Sequence, residues 1–99
     1  MKSMTVEELA SVNERHLIDV REPDEFAAAH AVGAVNVPLR SVESAALADD
    51  GATVYVICQS GGRSARAVQA LTACGINAVN VAGGTSAWLQ AGLPAEVGR

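Results

Sequence analysis

The chain has 99 residues, the size of one compact domain with no room for two independent cores. Hydrophobic residues make up 49% of it and aromatics only 3%, so the core has to be built from Ala, Val, Leu and Ile. A net charge of -4 argues against nucleic acid or an anionic membrane as partner, and no apolar run approaches the roughly 20 residues that cross a bilayer.

The N-terminal Met1-Lys2-Ser3-Met4-Thr5 has no apolar stretch and turns acidic at Glu7-Glu8, unlike a secretory signal. Two cysteines are too few for a disulfide framework, and the expected setting is a reducing cytoplasm. Thr5-Val6-Glu7-Glu8 is a capping-box pattern that predicts a short helix from Val6 to about Val12. Leu17-Ile18-Asp19-Val20 reads as a short buried strand, and Arg21-Glu22-Pro23-Asp24 as a turn into a helix from Pro23 to Ala29. Ala34-Val35-Asn36-Val37 reads as a strand stopped by Pro38. Ser41 to Ala48 is helix-like and ends in the turn Asp49-Asp50-Gly51.

Thr53 to Ile57 is apolar at nearly every position, as a central strand buried on both faces should be. Ser64 to Cys74 carries Ala65, Val68 and Leu71 on one stripe of a helix, with Gly75 at the stop position. Asn77 to Val81 is a further strand, followed by Gly83-Gly84 and a last helix from Thr85 to Ala91. Gly92 and Pro94 end that helix, and Val97-Gly98-Arg99 reads as a frayed tail. Strands alternating with helices predict an α/β domain with a mainly parallel sheet covered on both faces. Ligands in such folds sit beyond the carboxyl ends of the strands, where the strand ending at Ile57 delivers Cys58.

The stretch Cys58-Gln59-Ser60-Gly61-Gly62-Arg63-Ser64 therefore joins the most apolar strand to the longest helix. A free thiol is mostly protonated at neutral pH, and a helix N-terminus or a nearby cation favours its thiolate. The loop N–H groups and the helix start supply partial positive charge, and Arg63 a permanent cation with a planar fork. Gly61 and Gly62 allow φ > 0, so that successive N–H groups can turn inward as an anion nest. Ser60 and Ser64 add hydroxyls. The pattern predicts a pocket for a thiolate, a persulfide on that sulfur, or an incoming sulfur or phosphorus oxyanion. Cys74, in the last turn of a helix and with no cation beside it, is expected in the core.

Four pieces of the chain resemble the single-domain rhodaneses, a family of sulfurtransferases, and occur in that family's order from about Thr5 to Pro94. They are Leu17-Ile18-Asp19-Val20-Arg21-Glu22 with Glu25-Phe26; His30 with Gly33-Ala34-Val35-Asn36-Val37-Pro38; the loop Cys58 to Ser64; and Val81-Ala82-Gly83-Gly84 with Ala87-Trp88 and Gly92-Leu93-Pro94. The resemblance implies one rhodanese domain over residues 1–99, with its core at about 5–94. It implies a three-layer sandwich around a parallel five-stranded sheet, with helices on both faces. It also implies a double displacement in which Cys58 takes the outer sulfur of a donor such as thiosulfate or a persulfide, becomes a persulfide itself, and passes the sulfur to cyanide or a thiol. Gln59, Ser60, Gly61, Gly62, Arg63 and Ser64 would form the binding loop, Arg63 closing the pocket, with no cofactor and no metal. A sulfur-relay protein is a further partner in keeping with this chemistry.

Within that fold, four residues between Cys58 and Arg63 is the sulfurtransferase loop length, whereas related phosphatases have one more. A small phosphatase or arsenate reductase is therefore the weaker alternative. A persulfide carrier or sensor module would use the same loop and remains open beside the enzyme. Ala31-Val32 stands where the family often has Ile-Pro, and Gln59 where many relatives carry Arg or Lys. The missing cation shifts the expected donor from thiosulfate toward a neutral or cationic donor or a protein persulfide.

Other polar residues weigh less. Asp19 and Arg21 either line the site or form an ion pair that fixes the turn, the second being favoured, with any effect on Cys58 indirect. Glu22 and Asp24 suit the first turn of the following helix. His30 is expected to make a structural hydrogen bond, His16 to be solvated in a polar loop, and Trp88 to be core. Arg66 either widens a basic rim or is simply exposed.

Overall fold

The computed structural model describes residues 1–13, 15–43 and 51–98, and its elements follow one another as strands alternating with helices. They are β1 (Ser3–Met4), α1 (Val6–Ala10), β2 (His16–Asp19), α2 (Pro23–Ala28), β3 (His30–Ala31), β4 (Val35–Asn36), a 3₁₀ turn (Leu39–Ser41), β5 (Val54–Ile57), α3 (Gly62–Ala73), β6 (Ala78–Val81), α4 (Gly84–Gln90) and β7 (Ala95–Glu96). Five strands form one parallel sheet in the order β1-β6-β5-β2-β4. The apolar β5 lies at its centre, between β2 and β6, as a strand buried on both faces must.

Alternation along β5 divides the core into two layers. Val54, Val56 and Cys58 pack with Ile18, Val42 and the α3 residues Ala67, Val68 and Leu71. Ile57, with Tyr55 against it, packs on the other side with Leu17, Val81, the α1 residues Val6 and Leu9, and Trp88 of α4. The result is the expected three-layer sandwich. Each fully buried Val or Leu contributes about 1.5–3 kcal/mol, and these small aliphatics carry most of the core. Trp88 fills the α1–α4 side, and its indole N–H donates to the Pro94 carbonyl at 2.7 Å.

The N-terminal capping box forms as its spacing predicts. Glu8 N–H donates to Thr5 Oγ1 at 3.1 Å and Thr5 N–H to Glu8 Oε1 at 2.9 Å.

Other expectations are corrected. The helix after the cysteine starts at Gly62, so Arg63 and Ser64 stand in its first turn. Only Gly61 of the loop glycines takes positive φ, at 117°. His16 is exposed but opens β2 and is not in a loop. Three strands have no counterpart in the sequence reading: β1, which pairs with β6, and β3 and β7, which pair with each other antiparallel. Cys74 is exposed, because the helix ends at Ala73 and Ile76 folds back onto the core instead. The helix expected over Ser41 to Ala48 lies mostly outside the described residues, and so does the Asp49-Asp50 turn; Leu39–Ser41 is the 3₁₀ turn.

Candidate functional site

Cys58 follows β5 at the carboxyl edge of the sheet, below the start of the 12-residue α3. Its side chain points into the α3 layer and the residue is 1% exposed. Gly61 N–H donates to Cys58 Sγ at 3.0 Å, and Ser64 Oγ lies 3.3 Å from the sulfur. The φ of 117° at Gly61 is what turns that N–H inward while the chain enters the helix. Burial by itself pushes the thiol's pKa up. The Ser64 hydroxyl and the backbone N–H groups of Ser64, Gly61 and Ser60 outweigh it, and the net displacement is downward, toward thiolate.

Ser64 is itself held from below. Its Oγ is within hydrogen-bond reach of the Gly61 carbonyl at 3.1 Å and of Asn80 Oδ1 at 2.5 Å. One hydroxyl proton cannot serve the sulfur, the carbonyl and the amide together. When Cys58 is a thiol, its S–H donates to Ser64 Oγ; when it is a thiolate, the hydroxyl proton is drawn to the sulfur. Asn80 is a buried polar residue in a strand otherwise made of Ala and Val, and that isolated polarity is the only mark the sequence gives of it.

The loop's outer wall comes from α4. Thr85 N–H donates to the Cys58 carbonyl at 2.8 Å and Ser86 N–H to the Gln59 carbonyl at 3.0 Å. Gly84 has φ 59°, and a Cβ there would stand 2.6 Å from the Cys58 carbonyl oxygen. The Gly83-Gly84 turn is therefore a support for the cysteine loop as well as an entry into a helix.

Asp19 and Arg21 make the buried ion pair of the favoured sequence reading. Arg21 Nη2 lies 2.8 Å from Asp19 Oδ2, and Arg21 Nε donates to both carboxylate oxygens. Arg21 also reaches the loop, donating through Nη1 to Gln59 Oε1 at 3.1 Å, so the two readings coexist in one side chain. Asn36 pins the turn by donating to the carbonyls of Asp19 and Arg21. Gln59 and Ser60 are exposed at the rim.

Arg63 does not lie free over the sulfur. Its Nη1 and Nη2 donate to Glu25 Oε1 and Oε2 at 2.7 and 2.9 Å, a bidentate pair between the first turns of α3 and α2. Those hydrogen bonds from Arg63, helped by the Glu22 N–H and opposed by partial burial, hold Glu25 down to a pKa of about 2. In turn the Arg63 pKa is raised, by Glu25 first. The sequence does not show this role of Glu25, because its partner stands 38 residues away.

The remaining candidates stay apart from the sulfur. His30 is buried, stacked on Phe26, and its Nδ1 bonds the Phe26 carbonyl at 2.8 Å, a structural contact as expected. Glu22 and Asp24 sit at the start of α2, Glu22 pairing with Arg40. Arg66 is exposed one turn further along α3. Among the described residues no three His, Cys, Asp or Glu side chains converge on a metal-sized space, and no helix is long and apolar enough to cross a membrane.

The chain thus has a strand that delivers a cysteine to a helix N-terminus inside a parallel α/β sandwich. The sequence pattern of the Rhodanese-like domain family matches residues 5–91, and the chain belongs to that family. It is 38% identical over 92 residues to a Synechocystis protein of uncharacterized role, covering 91% of this chain and 51% of that one, so it spans about half the length of that relative. It is 36% identical over 93 residues to the chloroplastic thiosulfate sulfurtransferase 16 of Arabidopsis thaliana, covering 80% of this chain and 78% of that one. Its fold is similar to the crystal structure of a rhodanese-related protein from Thermoplasma volcanium, with TM-score 0.90, 31% identity, and coverage of 98% and 99% of the two chains.

Proposed function

We propose that the chain is a sulfurtransferase domain over its whole length that moves a sulfane sulfur through a persulfide on Cys58. The observation that carries this is the sulfur's position. It lies at the N-terminus of α3, with the Gly61 N–H at 3.0 Å, the Ser64 hydroxyl at 3.3 Å and a pKa displaced downward. The family membership and the likeness to a thiosulfate sulfurtransferase support it.

In the first half-reaction the Cys58 thiolate attacks the outer sulfur of a donor such as thiosulfate or a persulfide. The donor's S–S bond breaks and its electron pair leaves with sulfite or a thiolate. The loop N–H groups of Gln59 to Ser64 are placed to meet the charge that then sits on the outer sulfur of the Cys58 persulfide. In the second half-reaction a thiol or cyanide attacks that outer sulfur and Cys58 returns as thiolate. Neither step calls for a cofactor. The four residues between Cys58 and Arg63 favour a single sulfur over a phosphoryl group. Both cysteines are unpaired, as a persulfide cycle requires. A thiol acceptor on a small molecule or on a sulfur-relay protein fits the same second half-reaction.

The test is thiocyanate release from cyanide in the presence of either donor, with Cys58→Ser as control. Release by the wild type alone supports the reading. Hydrolysis of an aryl phosphate without thiocyanate release would sink it.

A further inference from the structure

Given sulfur transfer through Cys58, on which this inference rests, the charges around the sulfur bear on which donor reaches it. Arg63 is the loop's own cation, yet both of its terminal nitrogens are engaged by Glu25. Arg21, the other arginine at this edge, is matched by Asp19, and its remaining reach is spent on Gln59 Oε1 and the Ala29 carbonyl. These groups share one electrostatic neighbourhood. Glu25 feels both arginines, and Arg63 feels Glu25, Cys58 and Asp19. Two cations thus face two carboxylates, and the direct contacts that answer the charge of the thiolate are N–H groups and a hydroxyl, with Arg63 acting on it only at a distance and already matched by Glu25. Gln59 adds no cation, and Arg66 stands in solvent a turn away, where water and salt screen it.

Thiosulfate carries two negative charges to this thiolate. Cys58–S⁻ bonds to its outer sulfur, the S–S bond breaks, and the electron pair leaves with sulfite dianion, so three negative charges share the pocket during attack. A small organic persulfide, R–S–SH, undergoes the same displacement with one. Cys58–S⁻ takes the outer sulfur together with its proton, and R–S⁻ leaves with the electron pair. Where the cations are already matched, the second reaction meets far less repulsion.

We infer that Glu25 is a specificity-determining residue, which withholds Arg63 from dianionic donors and so selects a small organic persulfide over thiosulfate. Glu25 keeps its charge throughout the physiological range, because Arg63 holds its pKa down to about 2. The pair also ties α2 to α3, so a purely structural Glu25 that only aims Arg63 is the competing account. The two accounts differ in sign. If Glu25 withholds the cation, removing its charge improves thiosulfate; if it aims the cation, removing it makes thiosulfate worse.

The experiment is steady-state kinetics of wild type, Glu25→Gln, Glu25→Asp and Gln59→Lys with thiosulfate and with 2-hydroxyethyl persulfide. Wild type should show the higher kcat/KM with the persulfide. E25Q should lower the thiosulfate KM about fivefold, the scale of one part-exposed ion pair, and lower the persulfide-to-thiosulfate ratio accordingly. Its thiosulfate KM should also climb with ionic strength more steeply than that of the wild type, because an unmatched cation now attracts the dianion. E25D, which keeps the charge, should keep the wild-type ratio. Q59K adds a cation at an exposed rim position without touching the Glu25–Arg63 pair, and should move the ratio the same way even if E25Q folds poorly. A thiosulfate KM that rises in E25Q, or a ratio unmoved in both E25Q and Q59K, overturns the inference. Those outcomes leave the sulfurtransferase reading standing, since both donors still load Cys58. If neither donor leaves sulfur on Cys58, that reading fails and this inference with it.

Discussion

Two neighbouring strands end in nearly the same way and are used differently. After β5 the chain passes through Cys58 to Gly61 into α3; after β6 it passes through Ala82 and Gly83 into α4. Both crossings enter the helix through a left-handed glycine, Gly61 at φ 117° and Gly83 at φ 81°. In the first, the freed N–H groups converge on a sulfur. In the second, the N–H groups of Thr85 and Ser86 are consumed by the carbonyls of Cys58 and Gln59. A glycine turn at a strand end thus turns its N–H groups either to a sulfur or to a neighbouring loop, and its neighbours in space decide which. The second crossing fixes the carbonyls of the cysteine loop, and that leaves the loop's N–H groups free to face the sulfur.

The sharpest way to break this division is Gly84→Ala. Its Cβ would stand 2.6 Å from the Cys58 carbonyl oxygen and 2.7 Å from Gln59 backbone atoms, at a φ of 59°. The strain and the displaced backbone should cost about 3 kcal/mol in denaturant unfolding, and the Cys58 thiol should titrate higher as its donors move away. Gly33→Ala is the comparison, because its φ of 88° is equally unusual while nothing lies within 4 Å of the added carbon. It should cost only about 1 kcal/mol and leave the thiol's titration alone.

Ser64→Ala tests the other crossing. It removes the hydroxyl between Cys58 and Asn80, a bond to a charged sulfur of about 1.5–3 kcal/mol in the thiolate state. The thiolate absorbance should then appear at higher pH than in the wild type, with sulfur loading at neutral pH slowed in proportion. Titration unmoved by this change would mean that the backbone N–H groups alone set the ionisation.

A smaller effect belongs to Glu25, whose folded pKa of about 2 lies below the ordinary value of 4.5. A depressed carboxylate contributes stability above its unfolded pKa and loses it as pH falls through the folded one. The wild type should therefore exceed E25Q by about 1 kcal/mol above pH ~5, after allowing for solvent screening of a part-exposed pair. That difference should shrink as pH falls from about 4.5 to about 2. Urea unfolding across this range measures it. Least of all, Cys74→Ser should change stability by less than about 0.5 kcal/mol, because its side chain is exposed.

What the sequence made legible was local. The apolar run of β5, the glycine-rich crossing and the stripe of α3 are written in adjacent residues, and the Cys58 site rests on these. The Thr5–Glu8 capping box was likewise visible because both partners lie within one turn. What was hidden depends on distant partners. Glu25 finds Arg63 across 38 residues, and Ser64 finds Asn80 across 16. Strands of two residues such as β1 and β7 have no periodicity of their own and exist only through the strands they pair with. Cys74 shows the opposite error: it falls on the helical stripe of Val68 and Leu71, but the helix ends before that stripe reaches it.

Sulfur transfer of the kind proposed requires that the cysteine at the first crossing carry sulfur. The most direct measurement is the intact mass of wild type and Cys58→Ser after exposure to a sulfane donor, before and after cyanide. The wild type alone should gain one sulfur atom, and cyanide should remove it. A wild type that gains none, or a Cys58→Ser variant that gains one equally well, would contradict the proposed transfer.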